Sequence, residues 1–186
     1  MGGLAGCVAP TGDGAAPLLA AMARAAARPR HTVRSSSLLV FGARDVELVE
    51  DDAGGALALY GYARSGTTRI DAAELLARWR RQGPALLERL GGELSIAVVT
   101  DEGVWIARDR IGARPMYLAT LPGGARAFAT SMRLLVAAGA RRDVDVDAIV
   151  RSLVLGYVPA PQTALRAVEQ LAPGEWRRLA PRPLAR

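Results

Sequence analysis

Few residues in this chain are of types that do chemistry, and they are widely spaced. Cys7 is the single cysteine and His31 the single histidine among 186 residues. A cysteine attacks as its thiolate, which near neutral pH needs a neighbouring cation or base. Cys7 sits instead in the small, apolar run Met1 to Val8, the usual setting of an inert core cysteine. His31 is the right residue type for proton transfer at physiological pH. It follows Arg28-Pro29-Arg30 in a loop, where a solvated surface role is the ordinary one. Two carboxylates stand out. Asp71 opens Asp71-Ala72-Ala73-Glu74, a capping-box-like helix start in which Asp71 accepts backbone N–H bonds and Glu74 reaches back. Asp109 lies between Arg108 and Arg110, at a break between two strand-like runs. No metal site is expected.

The elements that hold these residues follow from periodicity. Glu93 to Thr100 puts Leu94, Ile96 and Val98 on one face and Ser95, Ala97 and Val99 on the other. Both faces are apolar or small, so this strand should be covered on both sides. Asp101-Glu102-Gly103 is a tight turn, and Val104 to Arg108 returns as a second strand. Gly112 and Pro115 interrupt the pattern, Met116 to Thr120 resumes it, and Pro122-Gly123-Gly124 turns into Ala125 to Thr130. The expectation is an antiparallel meander.

Upstream, Pro17 with Leu18, Leu19 and Met22 predicts a short amphipathic helix ending near Pro29. Leu38 to Phe41 reads as a buried strand, and Ala56 to Tyr62 as an alternating one with Leu57 and Leu59 facing in. Leu75, Leu76 and Trp79 form a buried stripe behind Asp71, and Gly83-Pro84 starts a helix with Leu86, Leu87 and Leu90 facing the core. Downstream, Ser131 can cap a helix carrying Met132, Leu134, Leu135 and Val136, closed by Gly139. Asp143, Asp145 or Asp147 starts the next, with Ile149, Val150, Leu153 and Val154 inward and Gly156 at its end. The proline-rich Gly156 to Gly174 then follows an extended path over the surface.

Composition narrows the function classes. Hydrophobic residues make up 51% and charged ones 23%, which suits one domain with a full core. The net charge of +6 comes from arginines scattered along the chain, not gathered into a basic run, so no nucleic-acid partner is expected. A single cysteine forbids an intramolecular disulfide and fits a reducing, cytoplasmic compartment. No apolar run is long enough to span a bilayer. The charges at Arg24, Arg28 and Arg30 fall within or after the apolar Ala15 to Ala27, the reverse of a secretory signal. Met1 to Gly6 lacks the Ser or Thr of a myristoylation motif, so no membrane partner is expected.

The run Ala107-Arg108-Asp109-Arg110-Ile111-Gly112-Ala113-Arg114-Pro115-Met116-Tyr117 resembles the ARDRxGxKPLYY signature of asparagine synthetase-like enzymes. In that family it lies in the N-terminal glutaminase domain, a class II glutamine amidotransferase with the N-terminal-nucleophile hydrolase fold. Leu90 to Ala97 is similar to the family's L-x-G-x-F-A-F-A strand, Phe128-Ala129-Thr130-Ser131 to its FASE segment, and Met1 to Gly6 to its MCGIAG opening. The resemblance implies an α+β fold: an αββα sandwich of two antiparallel sheets face to face, flanked by helices. It implies an amidotransferase domain over residues 1–155 and, over 156–186, an extended linker toward an ATP-dependent ligase domain. The ligase's SGGxDS loop does not occur in this sequence.

The resemblance also assigns roles. In the family, the initiator Met is removed and residue 2 is the nucleophilic cysteine, its own α-amine serving as base near neutral pH. Here that residue is Gly2, which has no side chain to attack with, so no catalytic residue is assigned. The family arginine that holds the glutamine carboxylate falls in Gly42 to Val46, on Arg44 or Asp45 according to register. The family's NGEIYN loop supplies an Asn side chain and a Gly N–H as oxyanion hole. Gly61 keeps the glycine, whereas Tyr60 stands at the asparagine. Losing one such donor costs about a hundred- to a thousandfold in rate. Asp71 matches the aspartate that binds the substrate α-amine. The vestigial substrate contacts are therefore Arg44, Gly61 and Asp71. Arg108, Asp109, Arg110, Gly112, Pro115 and Tyr117 form the structural signature. Arg28 to His31 only echo the family's HRGPD motif, and no role is carried to them.

The expected function is that of a glutaminase-like domain that has lost hydrolysis. It would dock against an ATP-dependent amide-forming ligase, as in β-lactam synthetases and lasso-peptide macrolactam cyclases, where the substrate itself brings the amine. No cofactor is expected in this chain; ATP and Mg belong to the ligase. An active glutaminase supplying ammonia for asparagine synthesis is the rival, its nucleophile either Cys7 or a cysteine at a different start. A free-standing regulatory or binding subunit is a third reading, and a homodimer is left open. Docking predicts an exposed apolar patch around Tyr157, Val158, Leu165 and Leu171.

Overall fold

The computed structural model describes residues 3–9, 15–26, 31–35, 38–42, 46–100 and 103–181, with side chains described outside 31–35, 38–42 and 180–181. In chain order the elements are β1 (Leu4–Val8), α1 (Ala15–Ala25), β2 (His31–Ser35), β3 (Leu38–Gly42), β4 (Val46–Glu50), β5 (Ala56–Ser65), β6 (Thr68–Ile70) and α2 (Ala72–Gln82). They continue with β7 (Leu90–Thr100), β8 (Gly103–Arg108), β9 (Tyr117–Thr120), β10 (Arg126–Ala129), α3 (Met132–Ala137), α4 (Val146–Leu155), β11 (Glu169–Gln170) and β12 (Trp176–Pro181).

The strands form two antiparallel sheets. The first runs β11-β9-β10-β1-β3-β2 and the second β12-β8-β7-β5-β4, with β6 paired to β5. Alternation along each strand separates three apolar layers. Leu4, Val8, Leu118 and Phe128 of the first sheet, with Met116 just before β9, meet Ala58, Ala97, Val99 and Ile106 of the second between the sheets. Cys7, Ala127 and Ala129 face outward under Leu19 and Met22 of α1 and Leu135 of α3. Leu57, Leu59, Ile96, Val98 and Trp105 face outward under Leu75, Leu76 and Trp79 of α2. The result is the expected αββα sandwich, and β7 is covered on both faces.

Several local expectations change. The meander is two hairpins in different sheets: β7 pairs with β8 in the second, β9 with β10 in the first, and residues 109–116 cross between them. Both hairpins carry two apolar faces, so alternation alone does not say which sheet each joins. Leu57 and Leu59 are buried, but so are Ala56 and Ala58, because β5 also faces the other sheet. Gly83–Glu88 is a 3-10 turn and not a second α-helix, and Leu90 already belongs to β7.

The largest correction concerns α4. Ile149, Val150, Leu153 and Val154, expected inward, are exposed, and Ala148 is the helix's one buried residue. The exposed patch therefore lies on α4 and Tyr157, whereas Leu171 is buried and Val158 and Leu165 are half-buried. Residues 156–181 are largely turns and irregular structure, and they contribute β11 to one sheet and β12 to the other.

Candidate functional site

The signature segment is a hydrogen-bonded crossing built around two side chains. Asp109 is 6% exposed, and its carboxylate accepts from the backbone N–H of Ile111 (3.1 Å), Ala113 (3.0 Å) and Arg114 (3.0 Å). Its own N–H donates to Leu94 O at 2.9 Å, and its carbonyl accepts from Gly174 at 2.8 Å. Arg108 donates to the carbonyls of Arg114 (2.9 Å), Leu171 (2.7 Å) and Gly112 (2.6 Å). Burial lowers the Arg108 pKa, against the raising influence of Asp109 and Tyr117. Every carbonyl it holds is thereby tied to a partly buried cation, so the crossing and the segment near Leu171 are one unit. Gly112 has φ +70°, and a Cβ there would come 2.9 Å from Pro173 Cγ, so the turn needs glycine. Pro115 O accepts from Ser95 Oγ at 3.0 Å. Arg110 is exposed and, among the described residues, donates to Glu88 O at 3.5 Å. Tyr117 is half-buried on β9, its pKa raised by burial.

This crossing delivers Arg114 to the sheet end where Tyr60 and Gly61 lie. The Arg114 guanidinium stacks over the Tyr60 ring, 5.0 Å from its centroid, and donates through Nη1 to the Tyr60 hydroxyl at 3.4 Å. Glu93 approaches Arg114 Nη2 at 3.8 Å. Gly61 has φ +101°, and a Cβ built on it would collide with the Glu93 carbonyl oxygen. That position takes glycine alone. Tyr60 is thus both stacked and hydrogen-bonded by Arg114. Beside it, a cavity of about 240 Å³ is lined by Tyr62, Arg64, Gly91, Gly92, Arg110 and Ile111, among others.

Asp71 caps α2: its Oδ1 accepts from Glu74 N at 2.8 Å. Glu74 does not complete the box, because its carboxylate takes Arg78 one turn on. Glu47 of β4 serves instead, accepting from Ala72 N at 3.1 Å while pairing with Arg69. Cys7 is fully buried under the α1 and α3 layer, away from the space between the sheets. Desolvation pushes its thiol up to about 11, so it stays protonated near neutral pH. Gly2, Arg44, Asp45 and Arg28 to Arg30 lie outside the described residues, as does the side chain of His31. Among the described residues no group of acidic, Cys and His side chains is placed to hold a metal ion.

Sequence reasoning passed over Arg114, Ser95 and Glu47. Arg114 occupies the cationic position of the signature, and Ser95 is a polar residue in an otherwise apolar strand; both were readable signals. Glu47 carried none, since its partner Ala72 lies 25 residues on, beyond β5 and β6.

Two antiparallel sheets packed face to face, with helices on both outer faces, define the sandwich of the N-terminal-nucleophile hydrolases. The Glutamine amidotransferase domain family matches residues 58–183, more than half of the chain, and the chain belongs to that family. It is an asparagine synthetase-like class II amidotransferase domain. Proteins described as putative asparagine synthetase [glutamine-hydrolyzing] from Mycobacterium bovis and Mycobacterium tuberculosis are 34% identical to it over 116 residues, 59% of this chain. The match spans only 18% of those relatives' length. In fold, the chain is similar to the glutamine phosphoribosylpyrophosphate amidotransferase of B. subtilis, with a TM-score of 0.50 at 14% identity, covering 77% of this chain and 45% of that one. No described helix is long and apolar enough to cross a membrane.

Proposed function

We propose that this is the amidotransferase-type domain of an amide-forming ligase system, that it no longer hydrolyses glutamine, and that it serves as a docking domain. Its partner is an ATP-dependent ligase domain of the kind found with β-lactam synthetases and lasso-peptide cyclases. That domain lies on the same chain or on a neighbouring gene's product in the cytoplasm and brings the ATP and Mg. The observation that carries the reading is α4. Val146, Ile149, Val150, Leu153, Val154 and Tyr157 form one stripe along it and just past its end, with Leu153 80% and Val154 84% exposed. Apolar side chains in such a row mark an interaction surface. Length points to the occupant: the matched region is 18% of the relatives, which leaves most of such a protein to pack against this domain.

Loss of hydrolysis is supported by Tyr60, stacked under Arg114 where the family's asparagine donates, and by Gly2 at the nucleophile position. Cys7 is a poor substitute nucleophile. Its thiol is sealed under α1 and α3 and held protonated.

The experiment is to co-express the chain with the candidate ligase and follow complex formation and ATP-dependent amide formation. A stable complex that Leu153→Asp with Val154→Asp abolishes is the expected result. A ligase equally soluble and active alone, with no complex, overturns the docking role. Glutamate release from glutamine is expected to be undetectable for the wild type and for Gly2→Cys, which still lacks the oxyanion donor. Robust turnover by either overturns the loss of hydrolysis.

A further inference from the structure

A second polar site lies apart from Tyr60, on the flank where β9 and β10 of the first sheet approach β12 of the second. A cavity of about 280 Å³ opens there, lined by Thr120, Arg126, Arg166, Glu169 and Arg177 with the apolar floor of Leu118 and Ala119. Three arginines therefore line one small cavity together with one carboxylate residue.

The three are not equivalent. Arg177 is already neutralised, bonded to Glu169 and, through Nε, to Glu175 at 2.6 Å. It forms a fixed wall. Arg126 and Arg166 have no carboxylate partner among the described residues, and each is oriented by a single main-chain bond. Arg126 Nη1 donates to Leu179 O at 3.1 Å, which bridges the two sheets, and Arg166 Nε donates to Val144 O at 3.2 Å. Each such bond uses one N–H and leaves the rest of the guanidinium fork available. Arg126 is half-buried between the sheets, where a charge interacts more strongly than in open water. The Thr120 hydroxyl, on the residue cross-strand from Arg126, adds a donor.

We propose that this flank is a binding site for a small, multiply charged oxyanion, most simply the phosphate group of a phosphorylated small molecule, gripped by Arg126 and Arg166. Pre-oriented guanidinium forks match the paired oxygens of phosphate and carboxylate, and bonds to them are charge-assisted. The cavity's size admits a phosphate or diphosphate group and leaves the remainder of a larger ligand outside it. The site shares no residue with Tyr60, Gly61 or Arg114, so it stands whether or not the domain hydrolyses glutamine.

Titration calorimetry at low salt, with inorganic phosphate, pyrophosphate and citrate as separate probes, tests it. One-to-one saturable binding of pyrophosphate is expected, weakened about tenfold or more by Arg166→Gln and by Arg126→Gln. Arg133→Gln, an exposed arginine on α3, should leave it unchanged. Arg166 is exposed, so its variant separates binding from folding even if Arg126→Gln unfolds the chain. Citrate binding more tightly than pyrophosphate would overturn the phosphate assignment. Absence of saturable binding, binding indifferent to Arg166→Gln, or equal loss in Arg133→Gln would overturn the site.

Discussion

Helices α2 and α4 are built by nearly the same rules and end in opposite surroundings. Asp71 caps one and Asp145 the other, each carboxylate accepting the N–H three residues on, at 2.8 and 3.0 Å. Both carry apolar residues at helical spacing. In α2 those residues, Leu75, Leu76 and Trp79, are buried against β5, β7 and β8. In α4 the corresponding residues face outward, and only Ala148 touches the body of the domain closely enough to be buried. The difference teaches that an amphipathic stripe records a need for cover and not the identity of the cover. For α2 the cover is the second sheet; for α4 it is something this chain does not supply among its described residues.

The comparison breaks most visibly in the core of α2. Trp79→Ala should cost about 3–5 kcal/mol, because Trp79 is 4% exposed and packs edge-on against Trp105. Leu153→Ala should stay within about 0.5 kcal/mol by denaturant titration. Equal losses would mean that α4 is covered in the isolated domain.

A smaller effect sharpens what cover does to a side chain. Cys7, sealed under α1 and α3, has its pKa raised from 9.0 to about 11. The folded state therefore holds the proton more tightly than the unfolded state. The stability this contributes is complete below pH 9 and is lost as pH rises toward and past 11, by roughly 3 kcal/mol. The unfolding free energy of the wild type, measured against Cys7→Ala, should fall across that window. Iodoacetamide should leave the folded protein unlabelled at pH 8. Rapid labelling there would show the thiol to be open.

The caps separate the two helices more finely. Asp71→Ala should lower global stability by about 1 kcal/mol. Asp145→Ala removes an equivalent bond from a helix that is barely coupled to the core. It should speed hydrogen exchange in 146–155 with little change in the global unfolding midpoint. Equal global losses would tie α4 to the core. The smallest stability effect belongs to Leu153→Ser with Val154→Ser, within about 0.5 kcal/mol, accompanied by a marked drop in binding of an apolar-surface dye. Unchanged dye binding would put the exposed apolar surface elsewhere.

Some of the site was legible before the fold. Gly112 and Pro115 were readable as a break between strands, Asp109 stood out through the family signature, and Asp71 was readable as a cap because capping uses contacts within a few residues. The pairing of Arg114 with Tyr60 was not, since those residues are 54 apart and meet only when residues 109–116 cross from one sheet to the other. Glu47 of β4, whose carboxylate accepts from the first residue of α2, was hidden for the same reason. Gly61 was singled out only through the resemblance, and the need for glycine there comes from the Glu93 carbonyl across the ladder.

By itself, then, the sequence determined the central strands and the cap at Asp71, because local hydrogen bonding and side-chain period act over a few residues, while the αββα class came from the resemblance carried by the signature segment; Ser131, expected to cap α3, makes no side-chain capping bond. It also determined that Ile149, Val150, Leu153 and Val154 share one helix face. Only the tertiary structure decided that this face points away from the sheets, that the two central hairpins join different sheets, and that Cys7 lies under helices and not between sheets. Those outcomes depend on which apolar surfaces find each other at long range, and surfaces of equal hydrophobicity carry no label for their partner.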